Sequence, residues 1–223
     1  MTNAAGSDPH GRQPIRFHGA PLGRANTAVL MVHGRGARAE DILTLAEPLE
    51  MPGAAFLAPQ AAGNTWYPNG FMQPIQSNEP WLTSALGLIG RTLAAIAEAG
   101  IPPERTMLLG FSQGACLMLE YAARNAARTG GRYGGLVGFS GGLIGPDGTP
   151  RDYQGTLDGT PVFLGCSDVD FHIPKERVLH TAEVLRGMGA EVTERLYPNM
   201  GHMVNEDEIA FAREMLRALA VEG

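Results

Sequence analysis

The sequence predicts an α/β protein with a mostly parallel central sheet and helices on both faces, and three observations carry that expectation. Short continuous apolar runs recur along the chain: Ala28-Val29-Leu30-Met31-Val32, Ala54-Ala55-Phe56-Leu57-Ala58, Thr106-Met107-Leu108-Leu109, Gly135-Leu136-Val137-Gly138-Phe139 and Pro161-Val162-Phe163-Leu164-Gly165. Runs of this kind suit strands covered on both sides. Between them stand stretches whose apolar residues repeat at helical spacing, and glycine or proline marks most junctions. Strands and helices that take turns in this way build a parallel sheet flanked by two helix layers.

Residues 15–18 read as a short edge strand. The run at Ala28 ends in His33-Gly34-Arg35-Gly36. Residues 40–50 then carry Ile42, Leu45, Ala46 and Leu49 on one helical face. The strand at Ala54 closes on Pro59, and a loop over residues 60–80 holds Trp66-Tyr67-Pro68 and Phe71. Residues 81–98 predict a long amphipathic helix stopped by Gly100 and Pro102. Residues 175–187 and 206–220 predict two more helices, and the alternation from Glu191 to Tyr197 predicts a last strand between them.

At 223 residues the chain suits one domain, placed at residues 14–223. Residues 1–13 are polar and lack the apolar core of a signal peptide, so they read as a disordered lead-in. A hydrophobic content of 44% with 18% charged residues fits a soluble domain, and no run reaches the length of a membrane span. The net charge of −6 argues against nucleic acid as a partner. Cys116 and Cys166 make no disulfide framework and read as small buried hydrophobes in a reducing cytoplasm. No cofactor or metal is expected, because no His, Cys or Asp cluster has ligand spacing. An apolar edge strand or helix face leaves a homodimer open.

Gly110-Phe111-Ser112-Gln113-Gly114 stands where the Thr106 run gives way to a helical stretch. A serine in so tight a strand-to-helix turn needs glycine on both sides, and the turn pushes its hydroxyl out of the sheet. The pattern resembles the nucleophile elbow of α/β-hydrolases. A hydroxyl of this kind needs a base, and His172, His180 and His202 lie downstream. His180 falls in the middle of a helix; His202 follows the last strand, with Gly201 letting the loop bend toward the elbow. His202 is therefore the expected base. The acid should follow the preceding strand, where Asp168 and Asp170 both qualify. Asp170 is preferred for its spacing to the next helix, and Asp168 would then hold the loop through nearby amides. Backbone N–H groups of Gln113 and Arg35 are the expected oxyanion donors, with His33 bracing their loop.

Val32-His33-Gly34-Arg35-Gly36, Trp66-Tyr67-Pro68, Gly110-Phe111-Ser112-Gln113-Gly114-Ala115, Asp170-Phe171-His172-Ile173-Pro174 and Gly201-His202 together resemble the phospholipase/carboxylesterase family of α/β-hydrolases, which includes acyl-protein thioesterases. The resemblance implies a triad of Ser112, an aspartate and His202, with Arg35 and Gln113 supplying the oxyanion amides. The chain departs from the family where Gly165 to Pro174 reads longer than usual. It departs again at Arg35, where an apolar residue is common; a cation there either favours acidic substrates or points to solvent. The short connection between the strands at Phe139 and Val162 leaves no room for a cap domain. The cleft should then be open and walled by the loop over residues 60–80. Trp66, Tyr67 and Phe71 either bind substrate there or pack the loop onto the sheet. The expected activity is that of a carboxylesterase acting on small esters through an acyl-serine. A thioesterase, a lysophospholipase, a dienelactone-type lactone hydrolase and a non-catalytic ligand-binding protein are the alternatives.

Overall fold

A computed structural model describes residues 8–128 and 132–221. Seven strands form one sheet: β1 (Ile15–Gly19), β2 (Thr27–Val32), β3 (Ala54–Pro59), β4 (Thr106–Phe111), β5 (Gly135–Phe139), β6 (Pro161–Ser167) and β7 (Glu191–Tyr197), in the order β1-β3-β2-β4-β5-β6-β7. Only β1 runs antiparallel, pairing Ile15 with Pro59 on β3. The others are parallel, with Val32 opposite Gly110 and Phe111 opposite Phe139. Every residue of β2, β3 and β5 is buried, as their unbroken apolar runs require. In the edge strand β7 Glu191 and Thr193 are exposed and the remaining residues are half-buried, which fits the alternation at the start of its sequence.

Successive residues of β2 serve opposite faces. Ala28, Leu30 and Val32 pack with the helices α3 (Trp81–Glu98), α4 (Gln113–Asn125) and α5 (Lys175–Gly187). Val29 and Met31 pack with α1 (Ala39–Leu43), α2 (Ala46–Leu49) and α6 (Glu206–Val221). A fully buried Leu or Ile in either layer contributes about 1.5–3 kcal/mol over its exposed state. α3 ends as its glycine predicts: Gly100 adopts φ +92, and the Ile101 amide reaches back to the Ile96 carbonyl.

Two sequence expectations are corrected here. The single helix over residues 40–50 is two short ones, α1 and α2. Pro48 has no amide and its ring would strike the Thr44 carbonyl in a continuous helix, so the chain breaks and restarts with Pro48 inside a first turn. The disordered lead-in over residues 1–13 holds neither for residues 8–13 nor for the boundary drawn after them; residues 1–7 lie outside the described residues. His10 is fully buried. Its Nε2 donates to the Trp66 carbonyl at 3.0 Å, its Nδ1 accepts the Ala62 amide at 3.0 Å, and its own amide donates to Ser84 Oγ at 2.8 Å.

The connection from β5 to β6, residues 140–160, contains no helix or strand. Buried charges pin it down instead. Arg177 on α5 donates to the carbonyls of Leu143 and Gly145 at 2.8 and 2.6 Å. Glu120 on α4 accepts the Ile144 amide at 2.9 Å and pairs with Arg124. The carboxyl edge of the sheet is left open on this side.

Candidate active site

Ser112 sits between β4 and α4 with φ 54 and ψ −121, a backbone region that side chains rarely occupy. Its amide donates to the Phe139 carbonyl at 2.9 Å, which ties the turn to the neighbouring strand. The flanking glycines are needed for contact reasons. A Cβ at Gly110 would lie 2.6 Å from the Ala115 amide nitrogen, and one at Gly114 would lie 2.1 Å from the Val32 carbonyl oxygen.

His202 reaches the elbow from the loop between β7 and α6, where Gly201 adopts φ +80 and donates its amide to Ser167 Oγ at 3.1 Å. The imidazole Nε2 lies 2.9 Å from Ser112 Oγ, and Nδ1 lies 2.7 Å from Asp170 Oδ2. Asp170 Oδ1 accepts the amides of His172 and Ile173 at 2.8 and 3.0 Å. Burial pushes the Asp170 carboxyl up, but the hydrogen bonds from His202 and those two amides outweigh it and hold the group below the usual range. An ionised Asp170 can only accept, so Nδ1 carries the proton and Nε2 presents its lone pair to the serine. Asp168 faces away and accepts the Asn199 amide at 2.8 Å, fastening the two loops together.

Arg35 and Gln113 both line the cleft beside Ser112. Neither amide has an internal acceptor among the described residues. The Gln113 amide belongs to the first turn of α4, where N–H groups point out of the helix. The Gln113 side chain has a task that sequence reasoning missed: Oε1 accepts the Trp66 amide at 2.9 Å, and Nε2 donates to the Tyr67 carbonyl at 2.8 Å. It clamps the wall loop to the elbow. His33 is buried, donates from Nδ1 to the Gly34 carbonyl and accepts the Ala61 amide at Nε2.

The cleft encloses about 330 Å³. Tyr67 and Phe71 line it, with Phe111, Cys116, His172 and Ile173. Trp66 does not: it is fully buried, and its indole N–H donates to the His33 carbonyl at 2.8 Å. Trp66 and Tyr67 are both fully buried, but in this bend of the loop only Tyr67 reaches the cleft wall. Two further ring contacts were not foreseen. Phe111 lies against His202 at 4.9 Å, and His172 meets the same ring edge-on at 4.7 Å. The sequence signal for His172 was its place two residues after Asp170. Cys116 is buried in the floor, where desolvation pushes its thiol up to about 12.

A sheet of this order, carrying a serine on a strand-to-helix elbow, defines an α/β-hydrolase. The chain belongs to the phospholipase/carboxylesterase family, whose sequence profile matches residues 19–220; members are hydrolases of the carboxylesterase and thioesterase type. The crystal structure of a phospholipase/carboxylesterase from Dyadobacter fermentans DSM 18053 is 43% identical, with a TM-score of 0.87 over 92% of this chain and 96% of that one. Esterase PE8 shares the fold at 23% identity and a TM-score of 0.76, over 93% of this chain and 99% of its own. Among curated proteins, acyl-protein thioesterase 1 of Gibberella zeae is 34% identical over 126 residues, 53% of this chain. That match spans about half of the relative's length, 52%.

Proposed function

We propose that the protein hydrolyses small carboxylic esters or thioesters through an acyl intermediate on Ser112. The observation that carries this reading is the unbroken hydrogen-bond chain from Ser112 Oγ through His202 to Asp170, at 2.9 and 2.7 Å. Ser112 Oγ attacks the scissile carbonyl carbon while His202 Nε2 takes its proton. Negative charge gathers on the carbonyl oxygen, where the Arg35 and Gln113 amides donate to it; one such donor is worth about 3–4 kcal/mol of barrier. Asp170 holds the imidazole tautomer and stabilises the imidazolium without taking its proton. The imidazolium then protonates the departing alcohol or thiol. Water repeats the sequence at the acyl-enzyme and frees the acid.

Tyr67 and Phe71 give the acyl or alcohol portion an aromatic wall, and the helix-free connection at residues 140–160 leaves the cleft accessible. Among the described residues no helix is long and apolar enough to cross a membrane, and two unpaired buried cysteines suit a reducing cytoplasm. The thioester arm of the proposal is supported by the Gibberella relative.

Turnover of p-nitrophenyl acetate and butyrate, with labelling by a fluorophosphonate probe, tests the proposal against Ser112→Ala. Wild-type protein should be labelled and active, and the variant neither. Equal rates, or an unlabelled wild type, would replace the enzyme with a ligand-binding module on the same fold.

A further inference from the structure

The cleft wall carries a charge pattern that acyl transfer by itself does not use. Its ionisable lining includes Arg35, His172 and His202, and no aspartate or glutamate. Asp170 stands behind the His202 ring with its side chain fully buried. The Arg35 guanidinium is exposed yet fixed. Nη1 donates to Thr65 Oγ1 at 3.0 Å and to the Pro68 carbonyl at 2.9 Å, and Nη2 donates to the Asn69 carbonyl at 2.7 Å. The cation also lies 5.9 Å from the centre of the Tyr67 ring.

All three acceptors are neutral, and among the described residues no carboxylate pairs with this arginine. Arg124 and Arg151, by contrast, pair with Glu120, and Arg177 pairs with Asp147. A guanidinium has five N–H donors, so three occupied sites leave Nε and one Nη2 hydrogen free in a rigid fork. The chain as a whole has a net charge of −6, whereas the cleft lining carries a fixed cation and no carboxylate.

We propose that Arg35, assisted by His172 on the facing loop, is a subsite for a carboxylate on the substrate, so that the preferred esters or thioesters carry a negative charge close to the scissile carbonyl. This rests on the hydrolase reading. The Arg35 amide serves the oxyanion and its side chain serves the carboxylate, so one residue sets the distance between the reacting centre and the anchor. Sequence reasoning left the Arg35 cation either to recognise acidic substrates or to point to solvent; its tethering to the wall loop favours recognition.

Two matched substrate pairs separate the possibilities: p-nitrophenyl hemiglutarate against p-nitrophenyl pentanoate, and 4-acetoxybenzoate against 4-acetoxybenzamide. The readout is the ratio of kcat/KM for the anionic member to that for the neutral member, in wild type, Arg35→Gln, Arg35→Lys and His172→Gln. A ratio cancels any general damage to the site or its loop. In at least one pair Arg35→Gln should lower the ratio about tenfold or more, as loss of a charged hydrogen bond implies. Arg35→Lys should recover part of it, and His172→Gln should lower it less. Raising the salt from 0.05 to 0.5 M should shrink the wild-type ratio. Hydrolysis of the neutral esters with ratios unmoved by Arg35→Gln in both pairs would overturn the carboxylate subsite and leave the hydrolase standing. No turnover of any of the four would overturn both.

Discussion

Replacing Asp170 with asparagine removes one charge and keeps the shape, yet the structure gives the new amide a single orientation. Oδ1 accepts two backbone amides, from His172 and Ile173, and only the oxygen of an asparagine can take that place. Its NH₂ group must then face His202 Nδ1, where the carboxylate oxygen stood at 2.7 Å. A donor there forces Nδ1 to become the acceptor and moves the ring proton to Nε2, the nitrogen 2.9 Å from Ser112 Oγ. In that tautomer the base has no lone pair for the serine. The expected loss is about 10⁴-fold in kcat, or about 5 kcal/mol of barrier. Kinetics with p-nitrophenyl acetate measure it, beside Asp168→Asn as the control. Asp168 accepts only the Asn199 amide, a bond that asparagine keeps through its own oxygen, so that variant should stay within about threefold of wild type. If Asp170→Asn kept a tenth of the activity while Asp168→Asn lost more, the tautomer argument would be wrong.

Two further variants probe the surrounding structure. Gly114→Ala puts a Cβ against the Val32 and His33 carbonyls, 2.1 and 2.5 Å away. Backbone cannot rotate aside, so the Tm should drop by about 6–12 °C, for a loss of about 3 kcal/mol; an unchanged thermal melt would contradict this. Glu208 is buried at the start of α6, where its Oε2 accepts the Asn205 amide, and burial pushes its carboxyl up to about 7. An acid whose pKa is raised on folding binds protons more strongly in the folded state. Its contribution is therefore present below the usual value near 4.5 and is lost as the pH rises through about 7. Urea unfolding at pH 5 and pH 8 should show wild type losing up to about 3 kcal/mol relative to Glu208→Gln, and equal slopes would refute the assignment.

The strand and helix alternation was legible because both sheet faces are covered, which writes buried strands as unbroken apolar runs. The positions of Ser112, Asp170 and His202 were legible for a different reason: each lies in the turn or loop that follows a strand of one parallel sheet, and those loops meet at its carboxyl edge. What stayed hidden depended on contacts remote in sequence. The burial of His10 depends on Trp66 and Ser84, and nothing in a polar N-terminal segment announces such partners. Trp66 and Tyr67 are adjacent and both fully buried, so composition could not say which one lines the cleft. The break at Thr44 could have been read from Pro48, but the amphipathic spacing across residues 40–50 masked it.

The left-handed turn at Ser112 has a consequence for the whole chain. Glycine would settle into φ 54, ψ −121 without steric protest, whereas a serine there is held only because the strand before it and the helix after it leave no other path. Resistance to unfolding and chemical reactivity therefore pull in opposite directions at this one residue. Holding the hydroxyl proud of the sheet in this way costs about 1–3 kcal/mol of backbone strain.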